Sequence, residues 1–462
     1  MAVDRAPKPP AGDDLASQVA DALAPVLGGA VAVEGLRRLS AGASRDTWRF
    51  TASVDGGEPR ELILQRDRPG GSLDGPTMAA EDELLVAAAA AGVPVPTVVL
   101  ASTAAGPLGP NSRVTAAVAG ESLGPRLVRA ERTDEGRRHL AADLGAAAAA
   151  IHGLDPTAHP GLDAVDALDQ LRVGLDLVGE ARPTFELALR RLAEDRPPPL
   201  PPSVVHGDLR VGNLLVDGDR LTAVLDWELA HLGDPREDLG WLCVRAWRFG
   251  GEREVGGLVD LDDLLAGYRA VGGAPVTADE VRWWTVVGTL RWGLICAVQA
   301  RRHLDGHVRS VELATIGRRV CETEHDLLDL LGVPPAAEDP TPTEPAEPTE
   351  PTEAEPSPTA RLHGRPTAEE LLDAVRQHLA EQIAPQLDGA PAFSLRVVDR
   401  ALATVQREIA AAGRPLPIAD EAALAASIRA GAPVDDAALA QIRAAVERRL
   451  EVANPRWAAR PR

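Results

Sequence analysis

A histidine, two aspartates and an asparagine, side chains suited to proton transfer and metal binding, fall close together: His206-Gly207-Asp208, Asn213 and Asp226. Between Asn213 and Asp226, the apolar runs Leu214-Leu215-Val216 and Leu221 to Leu225 flank Asp217-Gly218-Asp219. Asp-Gly between two apolar runs is a strong hairpin signal. Pairing centred on Gly218 makes opposed positions sum to about 436, which sets Asp226 across from position 210, facing the middle of the loop from Asp208 to Asn213. Three oxygen-bearing side chains then converge from adjoining segments. Two carboxylates and an amide suit a hard cation such as Mg2+, which one or two protein carboxylates hold while phosphates and water complete its shell. Phosphoryl transfer uses the same parts: a carboxylate that receives a hydroxyl proton, and an Asn and an Asp on the metal.

The elements that must position these residues can be read from hydrophobic periodicity. A helix is expected over 13–27, then strands over 30–36, 47–54 and 60–66. A helix carrying Glu81, Leu84, Leu85 and Ala88 ends at Gly92, where Val93-Pro94-Val95-Pro96 begins an extended segment. After Gly120 the pattern turns helical, interrupted by the hairpin. The expected class is α+β: a small β-rich lobe, a larger helical lobe and a C-terminal all-α bundle. Residues 334–360 hold nine prolines and seven acidic residues with no basic one; such a segment cannot bury enough apolar surface to offset its ordering entropy and reads as an extended linker. In the tail, Thr367 with Glu370 makes a capping box. Leu371, Val375, Leu379 and Ile383 follow on one face, and Val398, Leu402, Val405, Ile409 and Leu439, Ile442, Val446, Leu450 repeat the pattern. Three or four amphipathic helices result, with the character of an interaction or oligomerisation module. The expected division is an N-terminal extension (1–29), the β-rich lobe (30–120), the helical lobe (121–333), the linker (334–360) and the helical tail (361–462).

Composition narrows the chemistry. Of 48 basic residues in 462, only Lys8 is a lysine, which excludes a Walker P-loop and Schiff-base catalysis. Phosphate must be handled by arginine, backbone amides or metal. A net charge of −21 argues against a dedicated nucleic-acid binder. Cys243, Cys296 and Cys321 form no paired motif, so buried free thiols are expected. Met1 to Pro10 lacks the apolar core of a signal peptide and no apolar run is long enough to span a bilayer. A soluble, cytoplasmic protein is expected.

His-Gly-Asp-x-x-x-x-Asn, the hairpin and Asp226-Trp227-Glu228 resemble the aminoglycoside phosphotransferase-like branch of the protein-kinase-like fold. The likeness extends over about residues 25–332. Leu39-Ser40-Ala41-Gly42-Ala43-Ser44 is similar to the phosphate-covering loop, Leu62 to Arg66 to the strand bearing the ATP-contacting cation, Glu81 to its partner acid, and Val114 to Gly120 to the hinge that holds adenine. The resemblance implies ATP and Mg2+ as cofactors, with Asp208 as catalytic base, Asn213 and Asp226 as Mg2+ ligands and His206 as organiser of the loop. Glu228 would aid a second metal or stay a nearby solvated acid. Asp234 and Asp238 are expected to cap and anchor the next helix. Ser40, Gly42, Ser44, Gln65, Arg66 and Glu81 are the nucleotide-contacting candidates. This sequence departs from the family at position 65: strand alternation sets Gln65 where relatives carry lysine and turns Arg66 to the other face. Either Arg66 reaches the phosphates through a bulge, or Arg45 helps, or the contact is absent.

The helical lobe beyond Leu239 supplies Trp241, Trp247, Trp283, Trp284 and Trp292, with Arg282, Arg291, Arg301 and Arg302, as candidate walls for the phosphate acceptor. Leu290 to Cys296, Gly317-Arg318-Arg319 and Glu322-x-Glu324 are similar to kinase-like domains found with acyl-CoA dehydrogenases. That likeness implies a hydroxyacyl-CoA or hydroxy-acid acceptor and an acyl-CoA dehydrogenase as a partner; the tail resembles an uncharacterised helical domain found with such phosphotransferases. The alternatives are an aminoglycoside, sugar or choline-type kinase, and a catalytically weak scaffold.

Overall fold

The computed structural model of the chain describes residues 12–39, 45–68, 75–102, 108, 111–336, 366–414 and 416–458. Two compact units form: Met1–Asp166 with Pro197–Thr285, and Ala167–Arg196 with Val286–Arg462. Of the expected linker over 334–360, only 334–336 falls within the described residues.

The first unit opens with helix α1 (Gly12–Leu27), then strands β1 (Val31–Leu39), β2 (Arg45–Val54) and β3 (Arg60–Asp67), helix α2 (Met78–Ala90), and strands β4 (Val98–Leu100) and β5 (Ser112–Ala116). The strands make one antiparallel sheet in the order β1-β2-β3-β5-β4. Leu15, Val19 and Leu23 of α1 recur every four residues and bury against Phe50, Leu62, Leu64 and Val114. Alternation along each strand sends the other residues to the opposite face. There the register pairs Gln65 with Arg113 and, on its other side, with Thr47, while Arg45 pairs with Asp67. Helix α2 starts at an N-cap, Thr77, whose hydroxyl accepts from the Ala80 N–H at 3.3 Å.

The helical part of this unit begins with α3 (Gly124–Arg129) and is built on α4 (Asp134–His152) and α8 (Leu261–Ala270). Gly145 and Gly267 let the two backbones touch: a Cβ on Gly145 would sit 2.4 Å from the Tyr268 nitrogen, and one on Gly267 2.6 Å from the Ala142 Cα. Four short strands follow in two antiparallel pairs, β6 (Ser203–Val205) with β9 (His231–Gly233) and β7 (Leu214–Asp217) with β8 (Arg220–Val224). Residues 206–213 are strung between the first strand of each pair, then α7 (Arg236–Cys243) packs beneath them. The hairpin departs from the expected register. Its turn is the two-residue Gly218-Asp219, and a register shift between Leu215 and Val216 leaves Thr222 extra on β8, so Leu214 faces Val224. Asp226 is thereby carried to the Asn213 end of the loop and not to its middle, and the Leu225 N–H donates to the Asn213 carbonyl at 2.7 Å.

The second unit is helical: α5 (Ala167–Val178), α6 (Pro183–Glu194), the part of α9 (Ala278–Leu304) from Val286 onward, α10 (Val311–Ile316), α11 (Val320–Leu330) and the tail helices α12 (Ala368–His378), α13 (Gly389–Ala410), α14 (Glu421–Arg429) and α15 (Asp436–Ala453). The capping box at Thr367 and Glu370 is present. Tail residues Ile428, Ile442 and Val446 share one core with Leu187 of α6 and Leu328 of α11. Arg443, 1% exposed, crosses from α15 to Asp329 at 2.8 Å and also holds Glu447 at 2.7 Å. Trp457 donates to Asp326 at 2.9 Å. The tail therefore completes the core of this unit. The three cysteines are buried free thiols, each pushed up to about 12 by burial. Among the described residues no helix is long and apolar enough to cross a membrane.

Removing a buried ion-pair partner leaves the other charge uncompensated, a loss of about 3–5 kcal/mol. Arg443→Ala should therefore lower the stability of the second unit by about that amount, read by chemical denaturation, whereas Arg414→Ala on an exposed pair should change it by about 0.5 kcal/mol or less.

Candidate active site

Asp238 fixes the loop that carries Asp208. Its carboxylate is fully buried and accepts the backbone N–H groups of His206 at 2.7 Å and Gly207 at 2.9 Å. His152 Nε2 lies 3.1 Å away, and its Nδ1 is 2.9 Å from the Tyr268 hydroxyl. Burial alone would raise the Asp238 pKa, yet the His152 contact, the neighbouring His206 and the loop N–H bonds together hold it below the usual carboxylate range. This corrects the expectation that Asp238 caps the following helix: it lies inside α7 and turns back to the loop, while Asp234 accepts the Arg236 N–H at 3.1 Å. Gly207 sits at φ +77°, and a Cβ there would meet the Leu229 carbonyl at 2.2 Å, so the loop turns where only glycine fits.

His206 bonds both the loop and the end of the hairpin. Its Nδ1 accepts the Asp208 N–H at 3.2 Å and its Nε2 donates to the Leu225 carbonyl at 3.0 Å, tying the loop to the end of the hairpin. Burial lowers its pKa. The neutral ring with its proton on Nε2 satisfies both bonds.

Asp208 is held on both carboxylate oxygens. Oδ1 accepts from Arg210 Nε at 2.9 Å and from Trp241 Nε1 at 2.8 Å, and Oδ2 accepts from Asn213 Nδ2 at 2.6 Å. The Arg210 guanidinium also stacks 4.6 Å from the Trp247 ring. With its amide nitrogen spent on Asp208, Asn213 keeps Oδ1 for a cation. Asp226 adopts φ +66°, a left-handed conformation that Asp tolerates better than most residues and that stores strain at functional sites. Its pKa is pushed up to about 7, first by burial and then by the like charges of Glu228 and Asp208. The side chain is nonetheless 37% exposed, so the group is open to a ligand. A carboxylate in this condition is short of positive charge. Among the described residues no three His, Cys, Asp or Glu side chains form a ready-made metal cage; Asn213 Oδ1 and Asp226 fit a Mg2+ ion whose remaining ligands are phosphate oxygens and water. Glu228 stands at the edge of this group, 19% exposed.

The cation beside Glu81 comes from β2. Both terminal nitrogens of Arg45 bond the Glu81 carboxylate, with Nη1 to Oε2 at 2.8 Å, and Arg45 Nε reaches Asp67 at 2.9 Å. Arg45 Nη1 is 4.0 Å from Asp226 and its Nε 3.9 Å from Glu228. Arg113 of β5 adds a second guanidinium, 3.0 Å from Glu81 and 3.3 Å from Asp82, and its Nε donates to Gln65 Oε1 at 2.9 Å. Arg45, Arg113, Glu81 and Asp82 are all buried. Two positive and two negative charges balance here, and Gln65 supplies a neutral acceptor. A lysine at 65 would place a third cation against Arg113. A neutral glutamine at 65 accepts from Arg113 without adding to that charge.

The structure thus gathers Asp208, Asn213, Asp226, Glu228, His206, Asp238 and Glu81, with Gln65 joined through Arg113. Arg66 alternates to the face of Leu62 and Leu64, away from Gln65. Ser40, Gly42 and Ser44 lie outside the described residues. Of the aromatic candidates, Trp241 and Trp247 are at Asp208; Trp284 packs on α7 at Gly240, and in the second unit Trp292 lies under the Arg319 guanidinium at 5.5 Å. Arg113, Asp82, Arg210 and His152 were missed from sequence. The parity of β5 could have pointed to Arg113, since it shares a face with Thr115 opposite the apolar Val114; nothing local marks His152.

Two outcomes test this electrostatic arrangement. Gln65→Lys should destabilise the first unit by about 2 kcal/mol or more, read by chemical denaturation. Because the folded Asp226 carboxyl binds its proton more tightly than the unfolded one, it favours folding at low pH, and that contribution is lost as pH rises from about 4 through 7. In metal-free buffer at about pH 8, Asp226→Asn should therefore raise Tm, and Mg2+ should raise the wild-type Tm more than that of the variant.

Comparison with known proteins identifies the family and the fold. Residues 35–274 match the phosphotransferase enzyme family, and residues 385–457 match a domain of unknown function. A homoserine kinase from Methylocella silvestris is 31% identical over 156 residues, 30% of this chain and 45% of that protein. Mouse acyl-CoA dehydrogenase family member 10 is 41% identical over 63 residues, 12% of this chain and 6% of that protein. The chain thus spans less than half the length of either relative. A candidate aminoglycoside phosphotransferase from Ralstonia eutropha JMP134 shares the fold, with a TM-score of 0.51 and 21% identity over 68% of this chain and 98% of its own. With more than half of its length in the family match and the Asp208, Asn213 and Asp226 group assembled inside it, the chain belongs to the phosphotransferase enzyme family.

Proposed function

We propose that the protein transfers the terminal phosphoryl group of ATP to the hydroxyl of a small hydroxy acid, free or as its CoA thioester. The observation that carries this reading is the Asp208 carboxylate, oriented by Asn213, Trp241 and Arg210 on a loop that Asp238 clamps. In this reading Asp208 accepts the proton of the acceptor hydroxyl as its oxygen bonds to the γ-phosphorus and the bond to the ADP oxygen breaks. Asn213 Oδ1 and Asp226 would hold a Mg2+ ion, which would supply positive charge to the phosphates. Arg45, fixed by Glu81 beside Asp226 and Glu228, holds the nucleotide phosphates in place of the lysine that relatives carry at position 65. Backbone groups of residues 114–120 hold the adenine.

The wall around Asp208 supports the choice of acceptor. Arg210, Trp241 and Trp247 present a guanidinium and two indoles there. A polycationic aminoglycoside is poorly matched to that wall; a carboxylate-bearing alcohol is well matched. The Methylocella relative is a homoserine kinase, and homoserine is itself a small alcohol with a carboxylate. The short match to an acyl-CoA dehydrogenase family member supports testing CoA thioesters and an association with such a dehydrogenase.

Asp208→Asn should lower kcat by about 100-fold or more while nucleotide still raises Tm. Mg2+-dependent ADP release should be highest with hydroxy acids or their CoA esters in a panel that includes sugars, choline and aminoglycosides. Equal turnover by Asp208→Asn would sink the assignment of the base, and a preference for aminoglycosides would sink the acceptor class.

A further inference from the structure

We propose that the second unit holds its own binding site for a small phosphorylated molecule, independent of the phosphoryl-transfer reading above. The site is a cleft of about 600 Å3. Five arginines from separated stretches of chain line it, Arg182, Arg318, Arg414, Arg448 and Arg449, against one carboxylate, Glu408. In a chain of net charge −21, the wall of this cleft gathers five guanidinium groups against one carboxylate. Planar forks gathered in this way match phosphate oxygens, which they engage in pairs of hydrogen bonds.

The carboxylates that fix these arginines mostly lie outside the wall. Arg182 is bonded to Glu180 at 2.6 Å and reaches the buried Glu324 at 3.3 Å, and Arg449 pairs with Glu421. Glu324 is fully buried, with Oε1 lacking any hydrogen-bond partner, and Arg449 Nη1 is 3.7 Å from it. Arg182 and Arg449 thus converge on one buried carboxylate, and with Glu180 and Glu421 it holds their side chains at the cleft. The remaining pairs are exchangeable. Arg318 with Glu408 and Arg414 with Glu451 are more than half exposed on both sides, so each contributes little and can be given up to an incoming anion. Val320, Leu416 and Val452 add apolar surface to the wall. Charge together with apolar surface selects an organic phosphate over a bare ion. The cleft also gives the tail a role, since residues 408–414, 416 and 448–453 build most of it, with Arg182 and residues 317–321 completing the wall.

The test uses the full chain in EDTA and calorimetric titration with three probes: inorganic pyrophosphate, ADP and coenzyme A. At least one should bind saturably, more weakly as salt is added. The double variant Arg318→Ala/Arg414→Ala should lose affinity by about tenfold or more, and Arg448→Ala should also weaken binding, with Tm close to wild type in each. Asp208→Asn and Asp226→Asn should bind as wild type does, which separates this cleft from the active site. Pyrophosphate binding as well as ADP would identify the phosphate group as the element recognised; ADP or coenzyme A binding without pyrophosphate would identify a nucleotide. No saturable binding of any probe, equal affinity in the double variant, or loss of binding in Asp226→Asn would overturn the proposal.

Discussion

The buried carboxylate of Glu81 sets the terms for the rest of the site. Taking a carboxylate wholly out of water is costly unless charge and hydrogen bonds surround it. Arg45 from β2 and Arg113 from β5 do so, with Asp82 balancing the second guanidinium. Because these side chains come from two strands and one helix, the pairing locks α2 onto the face of the sheet turned away from α1. It also parks a fixed positive charge next to Asp226 and Glu228, where like charges otherwise accumulate.

A second buried carboxylate does the same work for the loop. Asp238 receives two backbone N–H groups and a histidine, so the loop bearing Asp208 and Asn213 is positioned by α7 and α4 together. The two anchors differ in what they leave unsatisfied. Asp238 has its full complement of donors and stays ionised, whereas Asp226 is crowded by carboxylates and has a raised pKa. A group left short of positive charge, on a strained backbone and open to solvent, is where a bound cation would act.

Much of this was legible in the sequence because its signals are local. The hairpin, His206, Asp208 and Asn213 fall on one short stretch, and the capping box at Thr367 needs only four residues. What escaped depends on pairing between distant segments. The bulge at Thr222 and the two-residue turn moved Asp226 toward Asn213, a shift that composition does not encode. Asp238 looked like a helix cap because its sequence neighbours are a helix start; its real partners lie 32 and 86 residues away. The single lysine pointed to a missing cation at Gln65, and the structure sets Arg45, one strand over, against Glu81. Gln65 is then a consequence of Arg113, not a gap.

In the proposed reaction Arg45 stands in for the family lysine. Steady-state kinetics of Arg45→Gln, which keeps a hydrogen-bonding side chain but removes the charge, tests it most directly. The expected result is a KM for ATP raised by about tenfold or more in a protein that remains folded, with the KM for the acceptor alcohol little changed. An unaltered KM for ATP and unaltered kcat would show that the phosphates are held elsewhere and would contradict the account.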